Sequence, residues 1–273
     1  MNKINSEIIS AIENQKALVF GKIGGVESQH LAFYLQNKQV ALLNTCSLTV
    51  QAGIYPSSRE DLQDWCDRYL ESIKNVDYLL QWCPEQGDEY IIETIGWDGV
   101  EKFDSFRDLE PFTHGEEGWH YHLKDKKLLT VAPFPETIKQ QVPKYSKIWQ
   151  GAEIGEVQVV KSPYSAAWVG AKPRPYREIL DEICEEIKNS DFDVATVGCG
   201  GYSLMICDFI KSLGKPSIHL GGANQILFGI KGARWDGNDT FKNSTWYNSE
   251  DWIRPLPEET PPNAHIMENG CYW

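Results

Sequence analysis

Short runs of buried-type residues alternate along the chain with longer stretches whose apolar positions recur every three or four residues, the mark of strands alternating with helices. Ile4 to Ile12 has helical spacing. Ala17 to Phe20 reads as a strand, and Leu31, Tyr34 and Leu35 follow on one helix face. Ser58-Arg-Glu-Asp61 is a helix cap, and the helix is predicted to run to about Lys74 with Leu62, Trp65, Leu70 and Ile73 inward. Asp77 to Trp82, Leu128 to Ala132 and Val157 to Val160 are predicted strands. Ile91 to Ile95 is a short element, and Ala41 to Val50 a strand or a turn of helix. Glu136 to Gln141 opens a helix after Pro133-Phe134-Pro135. Pro175 to Lys188 is strongly amphipathic, with Ile179, Ile183 and Ile187 on one stripe.

The stretch from Asp193 to Trp235 organises the rest. Val194 to Val197 is a β-branched run suited to a strand buried on both faces. Gly198, Gly200 and Gly201 follow, then a helix carrying Leu204, Ile206, Phe209, Ile210 and Leu213 that stops at Gly214. Ile218 to Leu220 is the next strand, and Gly221 and Gly222 turn it into a second helix carrying Ile226, Leu227 and Ile230. Such a unit brings helix N-termini to one sheet edge, where free N–H groups and the helix dipole favour a phosphate or diphosphate. A methyltransferase or dinucleotide enzyme usually carries an acid at the end of the second strand. Here that strand ends in His219-Leu220-Gly221, with no carboxylate.

The predicted fold class is therefore α/β: a Rossmann-like, mostly parallel sheet with helices on both faces. At 273 residues it fits one large domain, read as residues 1–253, with an extended tail at 254–273. The tail carries Pro255, Pro257, Pro261 and Pro262 and ends in Tyr272-Trp273, aromatics expected to pack back onto the body. Phe103 to His122 is rich in charge and aromatics and reads as a long irregular loop or lid. Within it His114, His120 and His122 lie near Glu116 and Glu117, but a solvated loop is the simpler reading than a metal cluster.

Charge narrows the partners. A formal net charge of −13 argues against a general nucleic-acid binder, which needs a basic footprint. No apolar run is long enough to span a bilayer. The 7 cysteines follow no pairing pattern and read as reduced thiols in a cytoplasmic setting.

Read together, GKIGGVE at Gly21, APFPETI at Ala132, VGCGGYS at Val197, IHLGGANQILFGIKGARWD at Ile218 and ENGCYW at Glu268 resemble the signature segments of a bacterial and viral polysaccharide-biosynthesis family related to the GT-D class of glycosyltransferases. The resemblance runs from Ala17 to Trp273. It implies a Rossmann-like fold, a nucleotide-sugar donor, typically UDP-linked, a glycan acceptor and a divalent metal, manganese or magnesium. The class uses an early Arg-x-Gly-Asp-x-Glu pattern whose acids serve metal and nucleotide. Lys22 stands at the Arg position, Gly24 at the Gly and Glu27 at the Glu, while Gly25 replaces the Asp. Glu27 is then metal ligand or general base. Lys22 and Arg234, or helix N-termini, neutralise the diphosphate in place of the missing acid.

On this reading Gly198, Gly200, Gly201 and Tyr202 face the diphosphate together with Gly221 and Gly222. His219 acts at the reacting centre, contacting donor or acceptor. Gln225 and Arg234 bind sugar or phosphate, and Glu136 and Thr137 bind acceptor. Two competitors are a non-catalytic nucleotide-sugar or glycan-binding module and a Rossmann-like methyltransferase.

Overall fold

The computed structural model describes residues 2–37, 45–82, 85, 87–162 and 174–273. Residues 41–44 of the predicted element at Ala41 to Val50 lie outside them. The remainder of that element belongs to a helix, α3 (Thr45–Ala52).

Among the described residues seven strands form one sheet in the order β3-β2-β1-β7-β6-β4-β5. They are β1 (Val19–Gly21), β2 (Tyr78–Leu80), β3 (Glu101–Phe103), β4 (Leu128–Ala132), β5 (Val157–Lys161), β6 (Val194–Val197) and β7 (Ser217–His219). Every pairing is parallel. In the central strands successive side chains serve opposite cores, as the strand period requires. Val19, Leu79, Leu129, Val131, Ala195 and Val197 enter one core, with Leu31, Trp65, Tyr69, Ile183 and Ile206. Phe20, Tyr78, Leu128, Ala132, Val194 and Ile218 enter the other, with Ile4, Ile8, Ile138, Ile226 and Trp235. The α/β, Rossmann-like fold with helices on both faces is thus the fold of this chain.

The helices begin where the chain supplies local acceptors. α1 (Lys3–Asn14) is capped by the Asn2 side chain, which accepts from the Ile4 N–H. α4 (Arg59–Lys74) is capped by Ser58, whose hydroxyl accepts from Asp61 N–H at 3.1 Å. α2 (Gly25–Asn37), α8 (Tyr176–Lys188) and α9 (Ser203–Ser212) join α3 and α4 on the first face, and α5 (Asp88–Ile95) lies against α2 there. α1, α6 (Pro135–Gln141), α7 (Tyr145–Ile148) and α10 (Ala223–Leu227) cover the second.

This distribution opens crevices at the carboxyl edge. Neighbouring β1 and β7 send their chains to opposite faces, into α2 and α10. Neighbouring β6 and β4 do the same, into α9 and α6. Loops that part in this way leave a gap beyond the strand ends, the usual ligand position in open α/β sheets.

Three expectations change on contact with the structure. The segment from Phe103 to His122 is not a lid. It is a chain of short 3-10 turns packed beneath α1, held where Asn5 donates to Glu117 O at 2.7 Å and accepts from Trp119 N–H at 2.8 Å. It is solvated only in part, with Glu116 and Glu117 exposed. His120 is fully buried against the Trp149 ring, 4.6 Å centroid to centroid, whereas His114 bonds the Asp108 carbonyl and His122 pairs with Glu13. Finally, the helix after β7 ends at Leu227, and Ile230 instead bridges to Ile253. The C-terminal segment does pack back as expected, but through 3-10 turns at Pro257–Glu259 and Ala264–Ile266.

Candidate functional site

A cavity of about 400 Å³ opens beyond the strand ends. Residues that follow β1 (Lys22, Gly24, Glu27) and β6 (Gly198, Gly200, Tyr202), and those that end and follow β7 (His219, Gly221, Gly222), all line it. The register explains the convergence. Val131 pairs with Val197, Val197 with His219, and the level below joins Ile218 to Phe20, so these strands end in step.

Glu27 lies in the first turn of α2, where the dipole favours a carboxylate. Its side chain is buried. Burial, with the nearby Glu268 and Asp88 carboxylates adding to it, pushes its pKa up from 4.5 to about 7. Gly24 makes the space: a Cβ there would lie 2.9 Å from Cδ of Glu27. Such a carboxylate exchanges its proton near neutrality, as a general base must.

Lys22 follows β1 and is also buried. Its ammonium sits 4.2 Å from the Trp82 ring centre and 4.7 Å from that of Phe106, so two aromatic faces hold the cation at the cavity wall. The Lys22 carbonyl lies 2.9 Å from Nδ1 of His219. A carbonyl only accepts, so Nδ1 carries the hydrogen. Burial, with the Lys22 charge adding to it, pushes the His219 pKa down from 6.5 to about 3. The imidazole is therefore neutral, and too weak a base to take a proton for the reaction near pH 7. His219 can thus meet donor or acceptor as a hydrogen-bonding group, but not as a base near pH 7.

The glycines have more than one task. Gly198 packs against the Gly221 carbonyl and Gly200 against the Ala52 carbonyl, closing β6 onto β7 and onto α3. Gly201 does not line the cavity; it faces Ile54, and its carbonyl accepts from Trp65 Nε1–H at 3.2 Å. Tyr202 lines the wall with its hydroxyl donating to Gly53 O at 3.1 Å.

The third wall comes from the C-terminal segment. Gln225 lines the cavity, but its amide donates to the carbonyls of Ile230, Lys231 and Tyr272 at 3.2, 3.0 and 3.2 Å. It ties the segment down, with its N–H groups already spent. Arg234 stacks on Tyr272, 4.7 Å from the ring centre, and pairs with Glu268. Arg234, Glu268, Tyr272 and Trp273 all reach the cavity.

Glu136 and Thr137 do not line it. Their backbone N–H groups donate to the Glu259 carboxylate at 2.7 and 2.9 Å, and the Thr137 hydroxyl bonds it too. The N-terminus of α6 already holds an anion supplied by this chain. Trp235 is core, against Phe241 and Tyr272.

Sequence reasoning passed over Trp82, Glu268 and Tyr272 as site residues. ENGCYW stood out as a segment, but nothing local placed it beside Glu27. Among the described residues no group of three His, Cys, Asp or Glu side chains is arranged to hold a metal ion. Gly25 offers no carboxylate beside Glu27, and Glu268 is engaged by Arg234. This donor set fits an anion held by cations better than a divalent metal caged by acids.

No family model, curated protein or solved structure matches this chain. No helix among the described residues is long and apolar enough to cross a membrane. The fold and cavity define an α/β, Rossmann-like domain with a charged crevice at the carboxyl ends of its strands.

Proposed function

We propose that this chain is a cytoplasmic glycosyltransferase of the GT-D type, moving a sugar from a nucleoside-diphosphate donor, UDP-linked by the family resemblance, to a hydroxyl of a saccharide acceptor. The observation that carries the reading is one cavity lined by a carboxylate with a pKa near 7, Glu27, and by two cations, Lys22 and Arg234. In the reaction the acceptor oxygen forms a bond to the anomeric carbon, and the bond from that carbon to the diphosphate oxygen breaks. Its electron pair leaves on the diphosphate. Glu27 takes the acceptor proton, and Lys22, Arg234 and the N–H groups at the start of α2 offset the developing charge, commonly the largest catalytic contribution. Gly198, Gly200, Gly221 and Gly222 bring backbone close to the phosphates. No step here needs a divalent metal.

A second reading, a binding module without catalysis, rests on Gly25 standing where the class carries an acid. Slow hydrolysis of UDP-glucose, with water replacing the acceptor, separates the two. The enzyme reading predicts hydrolysis by the intact chain and its loss in Glu27→Gln with UDP binding retained. Hydrolysis unchanged in that variant removes Glu27 from the mechanism. Binding without turnover favours the module.

A further inference from the structure

His219 is a buried side chain with one polar atom left over. Nδ1–H is committed to the Lys22 carbonyl, which fixes the tautomer and leaves a bare lone pair on Nε2. No donor among the described residues reaches that atom. A ligand that covers this acceptor at the cavity wall without donating to it loses affinity.

The position of Nε2 narrows the choice of donor. A Cβ built on Gly221 would lie 3.8 Å from His219 Nε2, 3.5 Å from Lys22 Cε and 3.7 Å from Lys22 Nζ. The lone pair and the ammonium thus border one small volume beside Gly221, at the cavity wall. A ligand filling it presents an anionic oxygen to Lys22 and, within a few bonds, an O–H or N–H to His219. In a nucleotide sugar the ribose hydroxyls lie on the far side of the diphosphate. The group next to the anomeric phosphate is the substituent at C2 of the sugar.

We propose, resting on the donor reading above, that His219 Nε2 accepts a hydrogen bond from the C2 substituent of the donor sugar while Lys22 Nζ meets its diphosphate. His219 thereby selects sugars with a hydroxyl or N–H at C2 over 2-deoxy sugars. It binds substrate as a neutral acceptor and moves no proton.

The test is a double-mutant cycle by calorimetric titration. UDP, UDP-glucose and UDP-2-deoxyglucose are titrated into the unaltered chain and into His219→Asn. The Asn amide keeps an N–H for the Lys22 carbonyl but lacks an acceptor at the Nε2 position. The intact chain is expected to bind UDP-glucose about tenfold tighter than the 2-deoxy analogue, the scale of one hydrogen bond to a buried acceptor. His219→Asn is expected to bind both sugars alike, with its UDP affinity within about twofold of the original, which also shows that the variant is folded. An intact chain that binds both sugars equally, or a variant that loses the same factor on both, overturns the role of His219 and leaves the donor reading standing. An intact chain that binds neither UDP nor UDP-glucose overturns both.

Discussion

Gly24 lies directly under the carboxylate of Glu27, so close that a methyl group at Gly24 would sit 2.9 Å from Glu27 Cδ and closer still to one of its oxygens. The glycine lets the first turn of α2 fold its own acid back toward the cavity. Gly24→Ala is expected to displace Glu27 and lower donor hydrolysis by at least tenfold, with a melting temperature close to that of the parent. Steady-state kinetics beside thermal melting checks this, and equal activity with an intact fold would detach the two residues.

Burial and the neighbouring carboxylates of Glu268 and Asp88 raise the Glu27 pKa from 4.5 to about 7, which fixes two pH dependences of opposite sign. A base works when deprotonated, so hydrolysis should climb with pH through about 7 and then level. Glu268→Gln removes one repelling charge and should move that climb to lower pH. Stability runs the other way. A group whose folded pKa exceeds its unfolded value contributes stability that is complete below about 4.5 and lost as pH rises through about 7, up to roughly 3 kcal/mol. Denaturant unfolding should therefore show Glu27→Gln gaining on the parent at pH 8 but not at pH 4.

Glu259 closes the α6 N-terminus by accepting from the N–H groups of Glu136 and Thr137 and from the Thr137 hydroxyl. Glu259→Ala leaves those buried donors unpaired and should cost about 1–3 kcal/mol in urea unfolding. Limited proteolysis should then cut near residue 260 sooner, because the carboxylate that ties this turn to α6 is gone.

His120 is boxed by the rings of Trp119, Tyr121 and Trp149, and neither ring nitrogen has a hydrogen-bond partner among the described residues. Burial, with the charges of His114 and His122 adding to it, pushes its pKa down from 6.5 to about 3. Its depressed folded value makes stability complete above about 6.5 and lost as pH falls toward 3. His120→Phe should flatten that acid limb and raise the melting temperature at pH 5. An unchanged acid limb would place the proton uptake elsewhere.

Much of the fold was legible because its strands are buried on both faces and so appear as unbroken apolar runs. Leu128 to Ala132 coincides with β4, and Val194 to Val197 with β6. α4 announced itself through Ser58 and the inward stripe of Leu62, Trp65, Leu70 and Ile73. The glycine turns pointed to the strand ends that line the cavity. Failures came where contacts are distant or periodicity is absent. Glu259 lies 123 residues from Glu136, so nothing local showed that α6 was already capped. The turns from Phe106 to His122 have neither a strand nor a helix period, and their burial depends on α1. The helix after β7 stops short because Gly229 turns the chain at φ 68°, and the Gln225 amide draws the next two carbonyls inward. Glu268 became a site residue only when the C-terminal segment folded back beside Arg234.

On the proposed reading, Lys22 and Arg234 hold a diphosphate in the cavity above β1, β7 and β6. Calorimetric titration of UDP into the intact chain and into Lys22→Met tests it most directly. The intact chain should bind UDP saturably and the variant at least tenfold more weakly, with adenosyl-methionine and NAD binding neither. Equal UDP affinity for the two proteins, or a response to adenosyl-methionine alone, would contradict it.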